Sequence, residues 1–314
     1  MRVAVLAGGR SAERQVSLRS GAQVQAALAA RGHEVQMVDM DAAAWDRLAG
    51  GGFDCVFVAL HGRPGEDGTV QGMLELLGLP YTGSGVLASA LCIDKTRSNR
   101  LLAAAGLAVP EFEEVTVRSP AGEDQVERLA RAYGFPQVVK PVREGSTIGL
   151  SIPTDVDALA DGIVHAAAYD RRVMVQRFVA GVEVTVGVVA TPEPRALPIL
   201  EIVSENPLYD YDAKYTEGRS HHVIPARIPE VSAAASEAAA LKAFEVLGCE
   251  GMARVDFIVG DEGTPWVLEV NTVPGLTELS LLPDAARAAG IGFGDLCDRL
   301  LGQALERSRS EVSP

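Results

Sequence analysis

Short apolar runs alternate with longer amphipathic ones from the first residues of the chain. VAVLA is followed by SAERQVSLRSGAQVQAALAARG, then EVQMVDM, then a helix-and-loop stretch, then CVFVALHG and VQGMLELLG. Short β-branched runs read as strands, and apolar positions spaced three or four apart read as helices. This β-α-β-α rhythm over roughly the first 90 residues predicts a parallel sheet with helices on its faces. The stretch Val86 to Arg100 reads as helical and includes Asp94 and Lys95, and GLAVPEF then carries the proline of a linker. A second, α+β unit follows: FEEVTV, a helix from Glu123 to Tyr133, QVVKPV, the loop REGSTIGLSI, a helix from Asp155 to Asp170, and VMVQRFV. Beyond Ala180 and Gly181 come antiparallel-looking strands, EVTVGVVA and ALPILEIVS, a polar loop from Glu205 to Ser220, and a helix from Val231 to Leu247. A loop of that length is uncommon in a compact domain without a function.

The stretch RVDFIVGDEGTPWVLEVN, Arg254 to Asn271, reads as a β-hairpin. Antiparallel partners directly opposite each other keep a constant sum of residue numbers. A turn centred on Glu262 and Gly263 places Asp256 opposite Glu269 and Arg254 opposite Asn271. The other face then pairs Val255 with Val270, Phe257 with Leu268, and Val259 with Trp266, so this register sorts apolar from polar side chains. Two carboxylates facing each other repel and call for a cation between them. Arg254 in a structural Arg-acid cluster is one answer. A divalent ion is the other, because Asp, Glu and the Asn amide oxygen are hard ligands that Mg²⁺ accepts.

Composition narrows the function. The chain has 314 residues, almost half of them apolar, which is a globular composition. A formal net charge of -14 argues against non-specific binding to nucleic acid or an anionic membrane. The four cysteines, at 55, 92, 249 and 297, are widely spaced without a CxxC pair, which predicts free thiols in a reducing compartment. The apolar run in MRVAVLAGGR is too short for a signal-peptide core, so a cytoplasmic protein is expected.

Four further stretches carry candidate chemistry. EGSTIG, Glu144 to Gly149, follows a strand and can wrap backbone N–H groups around a phosphate, although it lacks the GK[ST] of a Walker A loop and a plain turn uses similar residues. Lys140 interrupts an apolar strand, with Pro141 marking a strand end or edge; a snorkelling lysine is the structural alternative to a phosphate ligand. AGGRSAE opens a helix after the first strand without GxGxxG spacing, which disfavours a dinucleotide oxidoreductase. Glu13 there either complements the helix dipole or offers a carboxylate to a substrate ammonium. His61 in HGRPGEDG reads as a turn histidine, and DYDAKY sets Lys214 beside Tyr215 in the long loop, with the reach to close over a site.

AGGRSAERQVSL, ALHGRPGEDGTVQGMLELLGLPYTGSG, DKTRSNRLL, VVKPVREGSTIG, YDYDAKY, ARVDF and LEVNTVPGLTELSLLP occur in this order over nearly the whole chain. Together they resemble the D-alanine:D-alanine ligase family of the ATP-grasp superfamily. The resemblance implies an α/β and α+β protein with a three-domain ATP-grasp architecture: an N-terminal Rossmann-like unit over 1–93, a central unit over 94–179 and a C-terminal unit over 180–314. It implies ATP-driven joining of two D-alanines through a D-alanyl phosphate, for cell-wall peptidoglycan precursors, by a homodimer. Carried over by position, Asp256, Glu269 and Asn271 would hold two Mg²⁺ ions, with Mn²⁺ able to substitute. Lys95, Lys140 and Lys214 would neutralise the phosphates. Arg254 and the Gly275 backbone N–H would stabilise the oxyanion. Glu13 would anchor the first ammonium, Ser280 and the Leu281 backbone would take the second carboxylate, and His61 would lie near the D-alanine sites. Ser146 and Tyr215 would form a hydrogen-bonded trio with Glu13. Glu183 would bind the ribose, and the backbone of Phe178 and Val179 the adenine. Gln176 departs from the acid expected opposite the adenine amino group; its amide oxygen still accepts that bond, without the charge. The intact AKY implies an amine rather than a hydroxyl acceptor. Another ATP-grasp ligase and a non-catalytic nucleotide-binding module are the rival readings, separable by whether D-alanine triggers ADP release.

Overall fold

A computed structural model describes residues 1–117, 123–204, 220–277 and 280–312. The opening alternation folds as expected into β1 (Arg2–Ala7), α1 (Arg14–Ala30), β2 (Glu34–Asp39), α2 (Ala44–Gly50), β3 (Cys55–Val58), α3 (Thr69–Leu76), α4 (Val86–Ile93) and α5 (Lys95–Ala104). The strands form a parallel sheet in the order β2-β1-β3, as short β-branched runs joined through helices should. Val86 to Arg100 is two helices rather than one. At Asp94 the backbone leaves the helical region (φ -87°, ψ 87°), and its carboxylate accepts from Arg97 N at 3.1 Å, capping α5. Aspartate favours such a cap over a helix interior, and the cap makes Lys95 the first helical residue.

The next unit contains β4 (Phe112–Thr116), α6 (Glu123–Tyr133), β5 (Gln137–Pro141), α7 (Val156–Ala167) and β6 (Arg172–Arg177). Its antiparallel sheet runs β4-β6-β5, and the two helices bury Val126, Leu129, Leu159 and Ile163 against Val139 and Val175. Pro141 ends β5, an edge strand, where its missing N–H costs no ladder bond.

The remaining elements are β7 (Gly181–Ala190), β8 (Pro194–Ala196), β9 (Leu200–Ser204), β10 (Ser220–Val223), α8 (Glu230–Val246), β11 (Met252–Gly260), β12 (Pro265–Asn271), α9 (Leu281–Ala288) and α10 (Phe293–Val312). The main sheet runs β10-β9-β7-β11-β12, with β8 paired to β7. The alanine-rich α8 lies close against it, Ala240 and Ala243 packing with Val186, Val255, Phe257 and Val267. The last helix returns to the first sheet: Leu296, Leu300 and Leu301 share a core with Val3, Val5 and Leu28. The loop expected from Glu205 to Ser220 lies, up to residue 219, outside the described residues, and with it Lys214 and Tyr215.

The hairpin keeps the expected register only near its open end. Arg254 pairs with Asn271, Val255 with Val270 and Asp256 with Glu269, but Phe257 then pairs with Val267, Ile258 with Trp266 and Val259 with Pro265. Leu268 is the extra residue of a β-bulge, which corrects the expected Phe257–Leu268 and Val259–Trp266 pairs. The bulge puts Val267 into the core, fully buried, and frees Leu268 to point at the opposite face. Trp266 faces Ile258 instead of the core, its Nε1 donating to Glu262 Oε1 at 2.9 Å. Bulges recur beside functional sites because, by locally disrupting the ladder, they re-aim a side chain.

Candidate active site

Strand alternation puts Arg254 and Asp256 on one face of β11, and the preserved pairing adds Glu269 and Asn271 from β12. The repulsion between the facing acids is answered by cations. Arg254 donates to Asp256 through Nε and Nη2, both at 2.8 Å, and Thr185 on β7 donates to the same carboxylate at 2.6 Å. Lys95 Nζ lies 3.1 Å from Glu269 Oε2 and donates to the Glu144 carbonyl at 2.6 Å. Lys140, on β5, is buried beside these groups rather than snorkelling. Burial lowers its pKa to about 8; Glu269 and Asp256 pull upward, and Lys95 pushes down.

These residues line a cleft between β5, the glycine-rich loop and the hairpin. A chamber of about 100 Å³ contains Lys95, Lys140, Arg254, Asp256 and Glu269. A second, of about 240 Å³, is lined by Gln176, Phe178, Val179, Ile258 and the bulged Leu268. Lys140, Thr147, Leu150, Glu183 and Leu268 line both, so a charged half is continuous with an apolar half. That is the shape of a nucleotide: phosphates among lysines and acids, base among apolar side chains. Gln176 is buried at the apolar end, and its Nε2 has no partner among the described residues.

The glycine-rich loop crosses the cleft. Ser146 and Thr147 take left-handed backbone conformations (φ 49° and 63°), which non-glycine residues rarely adopt, and Ser146 Oγ reaches across to donate to Glu13 Oε1. Glu13 stands at the N-cap of α1, one residue before the first turn, and is buried. Side chains at Gly62 or Gly145 would meet its carboxylate at 3.2 and 3.0 Å, so the backbone closes around it from both sides. His61 is buried, with Nε2 2.9 Å from Ser20 Oγ and Nδ1 3.1 Å from the Val273 carbonyl. Burial disfavours its charged form, yet neighbouring Glu66 holds its pKa above the usual value. At the far end, a Cβ on Gly275 would lie 2.7 Å from Ser280 Oγ, so the absence of a side chain at 275 lets the Ser280 hydroxyl sit against this backbone. Ser280 occupies the N-cap position of α9 with its hydroxyl accepting from Thr277 N at 3.0 Å rather than capping the helix, and Leu281 opens it.

The structure therefore gathers Lys95, Lys140, Arg254, Asp256, Glu269, Asn271, Glu183, Gln176, Phe178 and Val179 around one cleft, and joins Ser146 to Glu13 at its rim. Sequence reasoning missed Thr185 and Leu268, and it placed Glu144 in the candidate loop without the bond from Lys95 to its carbonyl. Leu268 alone had a signal: WVL breaks the alternation that the rest of β12 obeys. Among the described residues no group of three His, Cys, Asp or Glu side chains could hold a metal. Two carboxylates and the Asn271 amide oxygen nevertheless form a hard-oxygen set. It fits Mg²⁺, which binds through few protein groups and completes its octahedron with phosphates and water.

A parallel N-terminal sheet, a small antiparallel sheet and a larger one clasping a nucleotide-shaped cleft define the ATP-grasp class. The family description "D-ala D-ala ligase C-terminus" matches residues 101–302, and "D-ala D-ala ligase N-terminus" matches residues 47–84. The chain belongs to the D-alanine–D-alanine ligase family. It is 50% identical over 310 residues to the D-alanine–D-alanine ligase of Desulforudis audaxviator, covering 98% of this chain and 99% of that one. With the ligase of Pelotomaculum thermopropionicum it shares 47% over 309 residues, 98% of this chain and 97% of the other. The structure of the Bacillus anthracis ligase complexed with ATP superposes with a TM-score of 0.85 at 33% identity, covering 99% of both chains. Among the described residues no helix is long and apolar enough to cross a membrane.

Proposed function

We propose that the protein joins two D-alanines at the expense of ATP, releasing ADP, phosphate and D-alanyl-D-alanine for peptidoglycan precursors. The observation that carries this is the continuous cleft, in which Lys95, Lys140 and Arg254 meet the Asp256–Glu269 pair at one end and Gln176, Phe178 and Val179 form a base-sized apolar chamber at the other. ATP would lie along it, ribose on Glu183, phosphates among Lys95, Lys140 and Lys214. Two Mg²⁺ ions on Asp256, Glu269 and Asn271, or Mn²⁺ in their place, would neutralise charge on the phosphates.

The division of labour follows from the chemistry. Glu13 binds the ammonium of the first D-alanine and turns its carboxylate toward the γ-phosphate. A carboxylate oxygen attacks phosphorus, ADP leaves, and an acyl phosphate forms; positioning and charge neutralisation accelerate such a step without a covalent nucleophile. Ser280 and the Leu281 N–H hold the second carboxylate. Its amine, deprotonated through the Glu13, Ser146 and Tyr215 group, attacks the acyl carbon. Arg254 and the Gly275 N–H stabilise the oxyanion until phosphate departs. His61 packs beneath the D-alanine site. The glycine-rich loop keeps water from the acyl phosphate.

Three units, 1–93, 94–179 and 180–314, a homodimeric state and a cytoplasmic location complete the proposal. The test is product analysis after incubation with Mg·ATP and D-alanine, L-alanine, or D-alanine with D-lactate. D-alanyl-D-alanine with equimolar phosphate is expected. Equal turnover with L-alanine, or preferred ester formation near neutral pH, would reject it.

A further inference from the structure

Lys95 and the carbonyl it binds are each held from one residue behind, and the same short turn holds both. Asp94, immediately before Lys95, is forked by Arg172: Nη2 donates to Oδ1 at 3.1 Å and Nη1 to Oδ2. Arg143, immediately before Glu144, forks Asp170 through Nε at 2.8 Å and Nη2 at 2.9 Å. Asp170 and Arg172 are themselves joined, Arg172 N donating to Asp170 Oδ1 at 3.1 Å. The backbone closes the ring: Val142 N donates to the Arg172 carbonyl at 3.0 Å, and Lys95 N to the Val142 carbonyl at 3.2 Å. At its centre Lys95 Nζ donates to the Glu144 carbonyl at 2.6 Å.

The ring is tied to the central sheet. Arg172 also grips Glu114 of β4 through Nε and Nη2, both at 2.7 Å. The side chains of Asp94 and Asp170 are 3% and 5% exposed, so removing Arg172 would leave buried Asp94 held only from within α5, by Thr96 and Arg97. Burial alone would raise the Asp94 pKa, but the guanidinium takes it down to about 2. Asp170 and Arg172 do not line the cleft chambers. Arg97 also reaches Asp94, but its side chain is 60% exposed and it sits on α5 itself, so it cannot tie α5 to the sheet.

We infer that the Asp170–Arg172 turn is a positioning clamp for Lys95, fixing the ammonium and the first carbonyl of the glycine-rich loop as one unit against the nucleotide phosphates. The inference rests on the placement of those phosphates at Lys95 proposed above.

The test compares KM for Mg·ATP and for D-alanine in Arg172→Gln and Arg172→Lys, alone and with Lys95→Met. Arg172→Gln should raise KM for Mg·ATP about tenfold and leave KM for D-alanine within about twofold. Arg172→Lys, which keeps the charge but not the fork, should fall between it and the native protein. In the Lys95→Met background Arg172→Gln should cost less than about twofold more, because the two act through one contact. A full tenfold cost persisting without Lys95 would reject the clamp, as would an equal rise in KM for D-alanine. If Arg172→Gln does not fold by far-ultraviolet circular dichroism, Arg172→Lys carries the same comparisons. If Lys95→Met alone leaves KM for Mg·ATP unchanged, the phosphate placement fails and the clamp with it; a normal Lys95→Met loss with an additive Arg172 defect rejects the clamp alone.

Discussion

Asp256 and Glu269 stand directly opposite each other across the β11–β12 ladder, and each is held by a different cation, Arg254 for the first and Lys95 for the second. The pair is stable in that arrangement only because opposite charge surrounds it, and the same oxygens are the ones a divalent ion would use. Asp256→Asn should therefore lower the ligase rate by about a hundredfold or more, since a neutral amide would hold the divalent ion that neutralises the phosphates far less tightly. Steady-state assays over a Mg²⁺ titration check this, with the required Mg²⁺ concentration shifting upward.

Arg254 lies on the same face, its guanidinium on Asp256, and the proposed mechanism gives it the oxyanion. Arg254→Ala should cost about a hundredfold to a thousandfold in kcat, the usual loss for one oxyanion donor. Thermal denaturation should meanwhile show a folded protein. Single-turnover rates of phosphate release separate this loss from slower product release.

Lys140 is buried with a pKa of about 8. A polyanionic nucleotide favours its charged form, so binding raises that pKa and the complex takes up protons near and above pH 8. Well below pH 8 the lysine is already charged and uptake vanishes. Calorimetry of ADP binding in buffers of different ionisation enthalpy measures it, and Lys140→Met should abolish the uptake.

Gln176 presents an acceptor and a donor to the base chamber, with Nε2 buried and without a partner among the described residues. A carboxylate in its place can accept from a 6-amino group but cannot donate to a 6-oxo group. Gln176→Glu should thus sharpen the preference for ADP over IDP by about tenfold, the scale of one hydrogen bond made or left unpaired. Competitive binding of the two diphosphates reads the ratio directly.

Glu13→Gln keeps the Ser146 contact but loses the charge that the proposed mechanism offers to the first ammonium. KM for D-alanine should rise by about tenfold or more with KM for ATP nearly unchanged, since a charged hydrogen bond contributes about 1.5–3 kcal/mol. Initial-rate kinetics with each substrate varied in turn decide it.

Much of this was legible in the pattern of residues. Strict alternation sets the Arg254, Asp256, Glu269, Asn271 face, because a one-residue slip would turn the acids into the apolar core. The same rule failed at Leu268, where three successive apolar residues satisfy either register and core packing of Val267 chose the bulge. Asp94 misled for a related reason: apolar spacing runs through it from α4 to α5, while its side chain competes for the backbone and splits the helix. Non-local partners left no trace in the sequence. Thr185 on Asp256, and Arg172 behind Lys95, lie 71 and 78 residues away from the groups they hold.

The central claim is that this cleft transfers a phosphoryl group to a D-alanine carboxylate before the peptide bond forms. D-alanine labelled with heavy oxygen in its carboxylate, turned over with unlabelled ATP, tests it most directly by mass spectrometry of the products. Attack by that carboxylate on phosphorus, followed by departure of phosphate from the acyl carbon, predicts one labelled oxygen in each inorganic phosphate released. Unlabelled phosphate beside newly formed dipeptide would contradict it.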